Sequence, residues 1–185
     1  MSGGHHYGDV VTFQCSSGFV PVGSSERTCQ ADQTWSGTDF SCHGPCPGEY
    51  IRFKGTCLKF SDDKQTYQGA NDSCWERGDG GKLVVIKTQE MNDFIETNLR
   101  NMGRNDSDGK TWIGLDNLTD HENFVWSDGS ALDYQNWAPD QPSIGTEQCV
   151  EILPQEHYKW NNIPCNDSNY YICQKGTSVG SAWEM

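Results

Sequence analysis

The sequence predicts a small all-β module at the N terminus, followed by an α+β domain with two helices, antiparallel sheets and a long loop region. Three observations lead to this prediction. Nine cysteines are distributed along a chain of 185 residues. Short strand patterns between glycines and prolines occupy residues 7–42, and two helical patterns followed by several strand patterns occupy the remainder. Such a change of periodicity is typical of a domain boundary.

The composition restricts the classes of function. The formal net charge is −13, from 13 basic and 26 acidic residues, and a charge of this sign repels nucleic acid and anionic membrane surfaces. No apolar run approaches the roughly 20 residues that cross a bilayer. The nine cysteines favour disulfides formed in an oxidising, extracellular setting over zinc, because only Cys42 and Cys46 come near the spacing of a zinc pair.

The beginning of the chain does not match this extracellular interpretation. Residues 1–7 contain neither the charged segment nor the apolar segment of a signal peptide. We therefore interpret the sequence as a fragment, or an incomplete gene model, of a secreted or cell-surface protein.

The first module is predicted from short strands and punctuating turns. Residues 9–13 alternate in polarity as a strand does, and Gly18, Pro21 and Gly23 mark turns. A Gly-Pro linker at residues 43–45 ends the module, because this dipeptide continues neither a strand nor a helix.

The second domain is predicted to begin with a hairpin around Gly55 and to continue with two helices and further strands. Thr66 and Thr88 are the predicted helix caps. The apolar face of the first helix is Tyr67, Ala70 and Cys74, before Gly78, and that of the second is Met91, Phe94, Ile95 and Leu99, before Gly103. Further strands are predicted at residues 83–86, 112–115, 124–126, 149–153 and 170–173.

The order Tyr7-Gly8-Asp9…Cys15, Cys29 and Trp35…Cys42 resembles the later part of a sushi (complement control protein) module. The resemblance implies a Cys15–Cys42 disulfide and leaves Cys29 unpaired, because its partner would lie upstream of Met1. Two alternatives stay open, namely an unrelated small disulfide loop and an intermolecular bond of Cys29. The module is assigned to residues 1–43.

The remainder is similar to a C-type lectin domain of the longer form. The resemblance is carried by six cysteines and two motifs, in the order Cys46, Cys57, Cys74, Trp112-Ile113-Gly114-Leu115, Cys149, Trp160-Asn161-Asn162, Cys165 and Cys173. It implies the disulfides Cys46–Cys57, Cys74–Cys173 and Cys149–Cys165. This domain is assigned to residues 44–174, and residues 175–185 are expected to be a flexible tail.

The resemblance also implies a calcium site with a cis peptide at Gln141–Pro142. The implied metal ligands are Gln141, Ser143, Glu147, Asn161 and Asn162, and the implied ligand-binding residues are Gln141, Glu147, Asn161, Asn162 and Tyr158. Ser143 and Asn162 depart from the family pattern, which has Asp or Asn at the first position and Asp at the second. One carboxylate, Glu147, therefore remains, and calcium affinity follows the number of charged ligands. Gln141 gives a weak indication of a galactose-type sugar, and Tyr158 is the aromatic candidate for stacking on it.

Other sites are less well supported by the sequence. Asn117 and His121 occupy a second calcium position of the family but lack its acidic side chains, so we do not predict that site. The acidic pairs occur among turn-forming residues, where a solvated surface is the better interpretation, and we do not predict an enzyme. Four glycosylation sequons begin at Asn71, Asn105, Asn117 and Asn166, and Asn105 is the best candidate because its surroundings are polar.

Two functions follow. The first is extracellular carbohydrate binding through one weakened calcium site, in glycan recognition, innate immunity or adhesion. The alternative is a calcium-independent domain that binds a protein or lipid ligand, because Ser143 and Asn162 remove the charges that hold the metal.

Overall fold

The computed structural model describes residues 6–77, 80–119, 121–177, 179–180 and 182–184. The chain divides into two compact units, Met1–Cys57 together with Gly176–Met185, and Leu58–Lys175. The division thus lies within the second strand of the predicted hairpin, and the Gly-Pro linker falls inside the first unit. The strands are β1 (Val10–Cys15), β2 (Val20–Val22), β3 (Glu26–Thr28), β4 (Ser41–His43), β5 (Ile51–Phe53), β6 (Thr56–Phe60), β7 (Lys82–Leu83), β8 (Thr111–Asp116), β9 (Val125–Trp126), β10 (Cys149–Leu153), β11 (Lys159–Ile163), β12 (Tyr170–Gly176), β13 (Val179–Gly180) and β14 (Ala182–Glu184). The helices are α1 (Tyr67–Arg77) and α2 (Gln89–Asn101), with 3₁₀ turns at Ser107–Gly109 and Pro154–Glu156.

The first unit is built from two small sheets, with the strand orders β14-β1-β3 and β13-β4-β2. The Cys15–Cys42 disulfide links β1 to β4, and Cys46–Cys57 closes the segment that contains β5. Cys29 is buried and unpaired, which agrees with the expectation for this residue. The all-β architecture of the module is therefore as predicted.

The C-terminal residues differ from the sequence-based expectation. The segment 175–185 is predicted as a flexible tail, but β12 extends to Gly176, β13 pairs with β4, and β14 pairs with β1. The Thr177 hydroxyl also lies 2.5 Å from Nδ1 of His43. The reason is that β1 and β4 offer free backbone edges, which satisfy the hydrogen bonds of a polar segment that has no apolar pattern of its own.

The second unit contains the predicted α+β domain. Its sheet has the order β11-β10-β8-β12-β6, with β7 on β12 and β9 on β8. The strand β10 is antiparallel to β11 and to β8, β12 is antiparallel to β7, and β8 is antiparallel to β9, whereas β12 and β8 are parallel. Cys74–Cys173 and Cys149–Cys165 are bonded, so the four disulfides are the same pairs that the resemblance implies.

Both helices begin where the sequence predicts. The Thr88 side chain accepts the Met91 amide at the start of α2, and the Thr66 hydroxyl accepts the Gly69 amide near the start of α1. The predicted apolar faces are buried except for Phe94, which is partly exposed. Gly78, the predicted end of α1, lies outside the described residues. Neither helix in the described ranges has the length and apolar character that crossing a bilayer requires.

One predicted strand is shorter than expected. Residues 83–86 are all buried, but the strand β7 ends at Leu83. The Val85 amide donates to the side chain of Gln174 instead of to a backbone carbonyl, at 2.9 Å. The apolar run at residues 83–86 therefore indicates burial and not a regular strand.

The strand β8 lies at the centre of this sheet, and its glycine is sterically required. A Cβ atom at Gly114 would lie 2.5 Å from the Ser127 hydroxyl and 2.7 Å from the Leu83 carbonyl oxygen. On either side of Gly114, Trp112, Ile113 and Leu115 are fully buried. Because β10 and β9 both pair with β8, this strand fixes their positions. The segments that form the candidate site follow or pair with these two strands.

Candidate functional site

The loop between Gln141 and Glu147 returns to the strand β11, where it contacts Asn162. The Gln141–Pro142 peptide is cis, as the resemblance implies. The Ser143 amide donates to Oε1 of Gln141 at 2.9 Å and to Oδ1 of Asn162 at 2.8 Å. The Ser143 hydroxyl donates to Oε2 of Glu147. Four of the five predicted metal ligands therefore lie together in one hydrogen-bonded cluster.

Asn162 is the residue that connects the two ends of this loop. Its side-chain Nδ2 donates to the carbonyl oxygen of Ser143 at 2.9 Å and to that of Glu147 at 2.5 Å. Its Oδ1 accepts from the Ser143 amide. Because a backbone N–H only donates and a carbonyl only accepts, these contacts fix the orientation of the amide. Both polar atoms of the Asn162 side chain therefore form hydrogen bonds that hold the loop.

Asn161 is directed elsewhere. Its Nδ2 donates to Oε1 of Glu151, its cross-strand neighbour on β10, at 3.1 Å. The Glu151 carboxylate is completely buried and also accepts from Asn169 at 2.7 Å, with the Lys110 ammonium at 3.5 Å. Burial raises the pKa of Glu151, and these partners oppose the rise. Asn161 thus belongs to a buried polar group beside the loop cluster.

The residues of the loop cluster do not fit a calcium shell as they are arranged. Calcium takes roughly six to eight oxygen ligands, with affinity set by the number of charged ones. Here the oxygens of Gln141 and Asn162 both accept the Ser143 amide, and the Ser143 hydroxyl occupies one oxygen of Glu147. A metal at this position would have to displace those hydrogen bonds. The Asn162 amide group already supplies the partial positive charge that the loop carbonyls need.

The structure corrects the assignment of Tyr158. This side chain is 1% exposed, and its hydroxyl donates to the carbonyl oxygen of Arg104 and to Oδ1 of Asn105. The Arg100 guanidinium lies over its ring at 4.4 Å. The ring therefore packs inside the domain and cannot stack on a ligand. His157 and Tyr158 both have positive φ values, and this backbone conformation turns the Tyr158 ring inward in a way that the sequence does not reveal.

Asn117 and His121, at the second calcium position of the family, bond to each other and to Gln148. Asn117 is 8% exposed, its amide nitrogen Nδ2 donates to the carbonyl oxygen of His121 at 3.3 Å, and its backbone amide donates to Gln148. The ring of His121 contacts the side chain of Gln148 in turn. The Oδ1 atom of Asn117 has no hydrogen-bond partner among the described residues.

Two surface grooves lie next to the loop, and sequence reasoning did not find them. The loop groove, of about 360 Å³, is lined by Asn117, His121, Glu122, Phe124, Pro142, Ser143, Ile144 and Gly145. The side groove, of about 470 Å³, shares Glu122, Phe124 and Pro142 with it and continues along Leu132 and Trp137.

Ile144 is the most conspicuous residue of this surface, because its side chain is fully exposed, at 103% of the reference area. Phe124 and Trp137 contact each other edge to face at 5.1 Å. An isolated Ile in a polar loop is the signal that could have indicated this surface. Phe124 and Trp137 are too distant in sequence for their contact to be predicted.

Comparisons with known proteins agree with this architecture. The family model of the C-type lectin domain matches residues 63–175, and that of the sushi repeat matches residues 2–42. The chain is similar to the versican core protein of Rattus norvegicus, at 37% identity over 130 residues. It is also similar to that of Homo sapiens, at 36% over 130 residues. In both cases the match covers 68% of this chain but 4% of the relative's length.

Solved structures show the same fold. A mouse scavenger receptor C-type lectin carbohydrate-recognition domain is 27% identical, with a TM-score of 0.61, and the match covers 72% of this chain and 98% of that one. The cow C-type carbohydrate-recognition domain of CD23, in the presence of a GlcNAc2Man3 oligosaccharide, is 29% identical, with a TM-score of 0.63, and the match covers 74% and 99% of the two chains.

Proposed function

Because the chain belongs to the C-type lectin domain family, we propose that it is an extracellular, non-catalytic binding protein that contacts its ligand through the loop Gln141–Glu147 without calcium. The observation that carries this proposal is the Asn162 amide, which donates to the carbonyl oxygens of Ser143 and Glu147. These bonds close the loop by protein groups alone. Binding of a ligand through this loop serves adhesion or immunity outside the cell, in an oxidising compartment where the four disulfides persist.

A protein is the ligand class that the surface supports best. The fully exposed Ile144 and the apolar walls formed by Phe124, Pro142 and Trp137 offer contacts to apolar side chains. Apolar and aromatic groups at the centre of a surface, with polar groups such as Glu122 and Gln135 beside them, are typical of protein interfaces. The polar atoms of the loop itself are largely engaged with one another.

Carbohydrate binding through one weak calcium site is the second candidate. Gln141, Glu147 and Asn161 match the family pattern, and the Gln141–Pro142 peptide is cis. The similar cow CD23 domain has a solved structure in the presence of an oligosaccharide. For this chain, the candidate requires calcium to replace the internal hydrogen bonds of the loop, with a galactose-type sugar then bridging to Gln141 and Glu147.

Calorimetric titration of calcium into metal-stripped protein separates the two candidates. We expect no saturable heat up to millimolar calcium, because a single carboxylate remains in the cluster. Glu147→Ala is the control, and it should give the same flat titration. One-site binding that Glu147→Ala abolishes would overturn the metal-free proposal and establish the second candidate. Glycan binding that a chelator removes would do the same.

The role of Asn162 is tested by Asn162→Asp. We expect the free energy of unfolding without calcium to fall by about 2 kcal/mol, because two carbonyls lose their donors and face a carboxylate. Calcium should restore part of this loss, since the loop then contains two carboxylates. Both are read from urea unfolding with and without calcium. The matched control is Asn161→Asp, which places its charge against Glu151 and should not be rescued. An Asn162→Asp protein as stable as wild type would contradict this role.

A further inference from the structure

We infer that the chain carries N-linked glycans at Asn105 and Asn166, and that Asn71 and Asn117 stay unmodified. The four sequons are equivalent as sequence motifs, but the structure separates them into two pairs. The inference rests on the extracellular setting of the proposed function, because such glycans are attached to secreted and cell-surface proteins. It does not depend on the loop cluster or on calcium.

The chemistry of the modification sets a structural requirement. The sugar is joined to Nδ2 of the Asn side chain, and the enzyme also recognises the hydroxyl of the residue two positions later. Because an attached glycan is bulky and hydrated, the folded chain must leave the acceptor Asn open to solvent. Burial and local conformation therefore decide which sequon carries a glycan.

The segment between α2 and β8 presents the first acceptor. Asn105 and Ser107 are both exposed there. Oδ1 of Asn105 accepts the Tyr158 hydroxyl at 2.8 Å, so the oxygen of this amide contacts the protein and not the nitrogen. The atom that holds the sugar is thus directed away from the contact with Tyr158.

The turn between β11 and β12 presents the second acceptor. Asn166, Asp167 and Ser168 are all exposed, and the Asp167 amide donates to the carbonyl oxygen of Pro164 at 3.2 Å. The turn is outside both neighbouring strands. Asn166 therefore has the exposure that a glycan requires.

Asn117 does not meet the requirement, because it is buried. Its side chain is in a residue that is 8% exposed, and its Nδ2 donates to the carbonyl oxygen of His121 at 3.3 Å. The nitrogen that would hold the sugar thus faces the protein. A glycan on this atom would have to break the bond to His121 and displace the surrounding chain.

Asn71 does not meet the requirement, because it lies within a helix. Asn71 and Ser73 are both in α1, and both are only partly exposed. Side chains two positions apart on a helix do not face each other, so the amide and the hydroxyl of this sequon are directed apart. The neighbouring Cys74 is buried and bonded to Cys173, which holds this part of the helix in place.

The pattern of glycans also bears on the proposed ligand surface. Among the described residues that line the loop groove and the side groove, none belongs to the sequons of Asn105 and Asn166. Asn117, by contrast, lines the loop groove, and a glycan there would occupy it. The two glycans are therefore attached outside the surface that we propose for the ligand.

The test is site-by-site mass spectrometry of the full chain, expressed in mammalian cells behind a cleavable signal peptide. Peptide N-glycosidase in heavy-oxygen water converts each glycosylated Asn into a labelled Asp. We expect the label at Asn105 and Asn166, and unlabelled Asn at positions 71 and 117. A glycan at Asn117, or an unmodified Asn105 or Asn166, would overturn the inference.

Variants that remove a hydroxyl and keep the Asn give a matched comparison. Ser107→Ala and Ser168→Ala should each lower the mass of the intact protein by one glycan. Thr119→Ala removes the hydroxyl of the Asn117 sequon, also at an exposed residue, and should leave the number of glycans unchanged. A glycan lost in Thr119→Ala would contradict the assigned pattern.

The disulfides of the same sample separate this inference from the proposed function. Unmodified Asn105 and Asn166 in a protein that has formed its four disulfides would overturn the inference and leave the extracellular proposal intact. Unmodified sites in a protein whose cysteines stay reduced would overturn both. One-site calcium binding in the calorimetric titration would overturn the metal-free proposal and leave the glycan pattern unaffected.

Discussion

The two units differ in how much apolar surface they bury. Among the described residues of the first unit, the buried apolar side chains are Val11, Cys29, Cys42 and Cys57, and three of these are cysteines. The second unit buries three tryptophans completely or nearly so, Trp112, Trp126 and Trp160, together with Leu58, Ile113 and Leu115. The first unit therefore depends on covalent links for its stability, whereas the second depends on packing.

The largest test of this difference is Trp160→Ala. Trp160 is fully buried, and its ring meets those of Trp126, Tyr134 and Trp137 at centroid distances of 5.6, 5.6 and 5.9 Å. We expect the free energy of unfolding of the second unit to fall by about 4 kcal/mol. Urea unfolding followed by circular dichroism measures it. Trp160→Phe, which keeps a ring, should lose clearly less, and equal losses would show that packing at this position is not the cause.

The next test removes a disulfide from each unit. Cys15→Ala/Cys42→Ala opens a 27-residue separation, at an entropic cost of about 3.5 kcal/mol. We expect the first unit to lose its amide protection in hydrogen exchange. Cys149→Ala/Cys165→Ala opens a 16-residue separation at a similar cost of about 3 kcal/mol, but the second unit should stay folded on its aromatic core. Retained protection of β1 and β4 in the first variant would contradict the comparison.

A smaller test uses pH, because the pKa of Glu151 in the second unit and the pKa of Asp32 in the first unit are shifted in opposite directions. Burial raises the pKa of Glu151 in the second unit above the ordinary 4.5, so its folded state holds the proton more tightly than its unfolded state. Stability from this group increases as the pH falls from neutral toward 4.5. Hydrogen bonds from Thr34 lower the pKa of Asp32 in the first unit, and its contribution decreases in acid.

We therefore expect the free energy of unfolding of the second unit to rise between pH 7 and pH 5, as measured by urea titrations at several pH values in roughly the range where carboxylates titrate. Glu151→Gln should abolish this slope. Asp32→Asn is the comparison variant and should leave the slope unchanged. A second unit whose stability is independent of pH in this range would refute the assigned role of Glu151.

The smallest expected effect concerns Asp128 at the surface of the second unit. Burial raises its pKa, but hydrogen bonds from Lys87 and Ser130 lower the pKa to about 2 overall. Its stabilisation is present above the ordinary pKa of 3.8 and is lost as the pH falls toward 2. Asp128→Asn should cost about 1 kcal/mol at neutral pH after allowance for solvent screening. Thermal melts measure it, with Lys87→Met expected to lose less, because Ser130 remains bonded.

The sequence predicts local features of this molecule well. Helix caps at Thr66 and Thr88 follow from side-chain chemistry, and the burial of β8 follows from its continuous apolar run. The prediction of a strand at residues 83–86 is wrong beyond Leu83, because a buried run without alternating polarity does not define a strand. The orientation of Tyr158 is not predictable, since it depends on left-handed backbone geometry and on partners near Arg104.

The candidate site illustrates the same limit. From the sequence, Ser143 and Asn162 count as lost charges in a metal site. In the structure, Asn162 donates two hydrogen bonds that an Asp could not donate, because an amide has an NH₂ group where a carboxylate has an oxygen. Which carbonyls those donors reach depends on the path of the loop, and no residue pattern specifies it. The grooves along Phe124 and Trp137 likewise arise from segments that are distant in sequence.

The closure of the loop by Asn162 also has a consequence for the cell biology of the protein. A surface that a metal holds together follows the calcium concentration of its surroundings, and it opens when acid protonates the metal's ligands. The two hydrogen bonds that the Asn162 amide donates to the loop have neither dependence, since an amide does not titrate. If the proposed metal-free binding is correct, a ligand taken up from outside the cell would stay bound in an acidic, calcium-poor vesicle. Its release would then require dilution, competition or proteolysis.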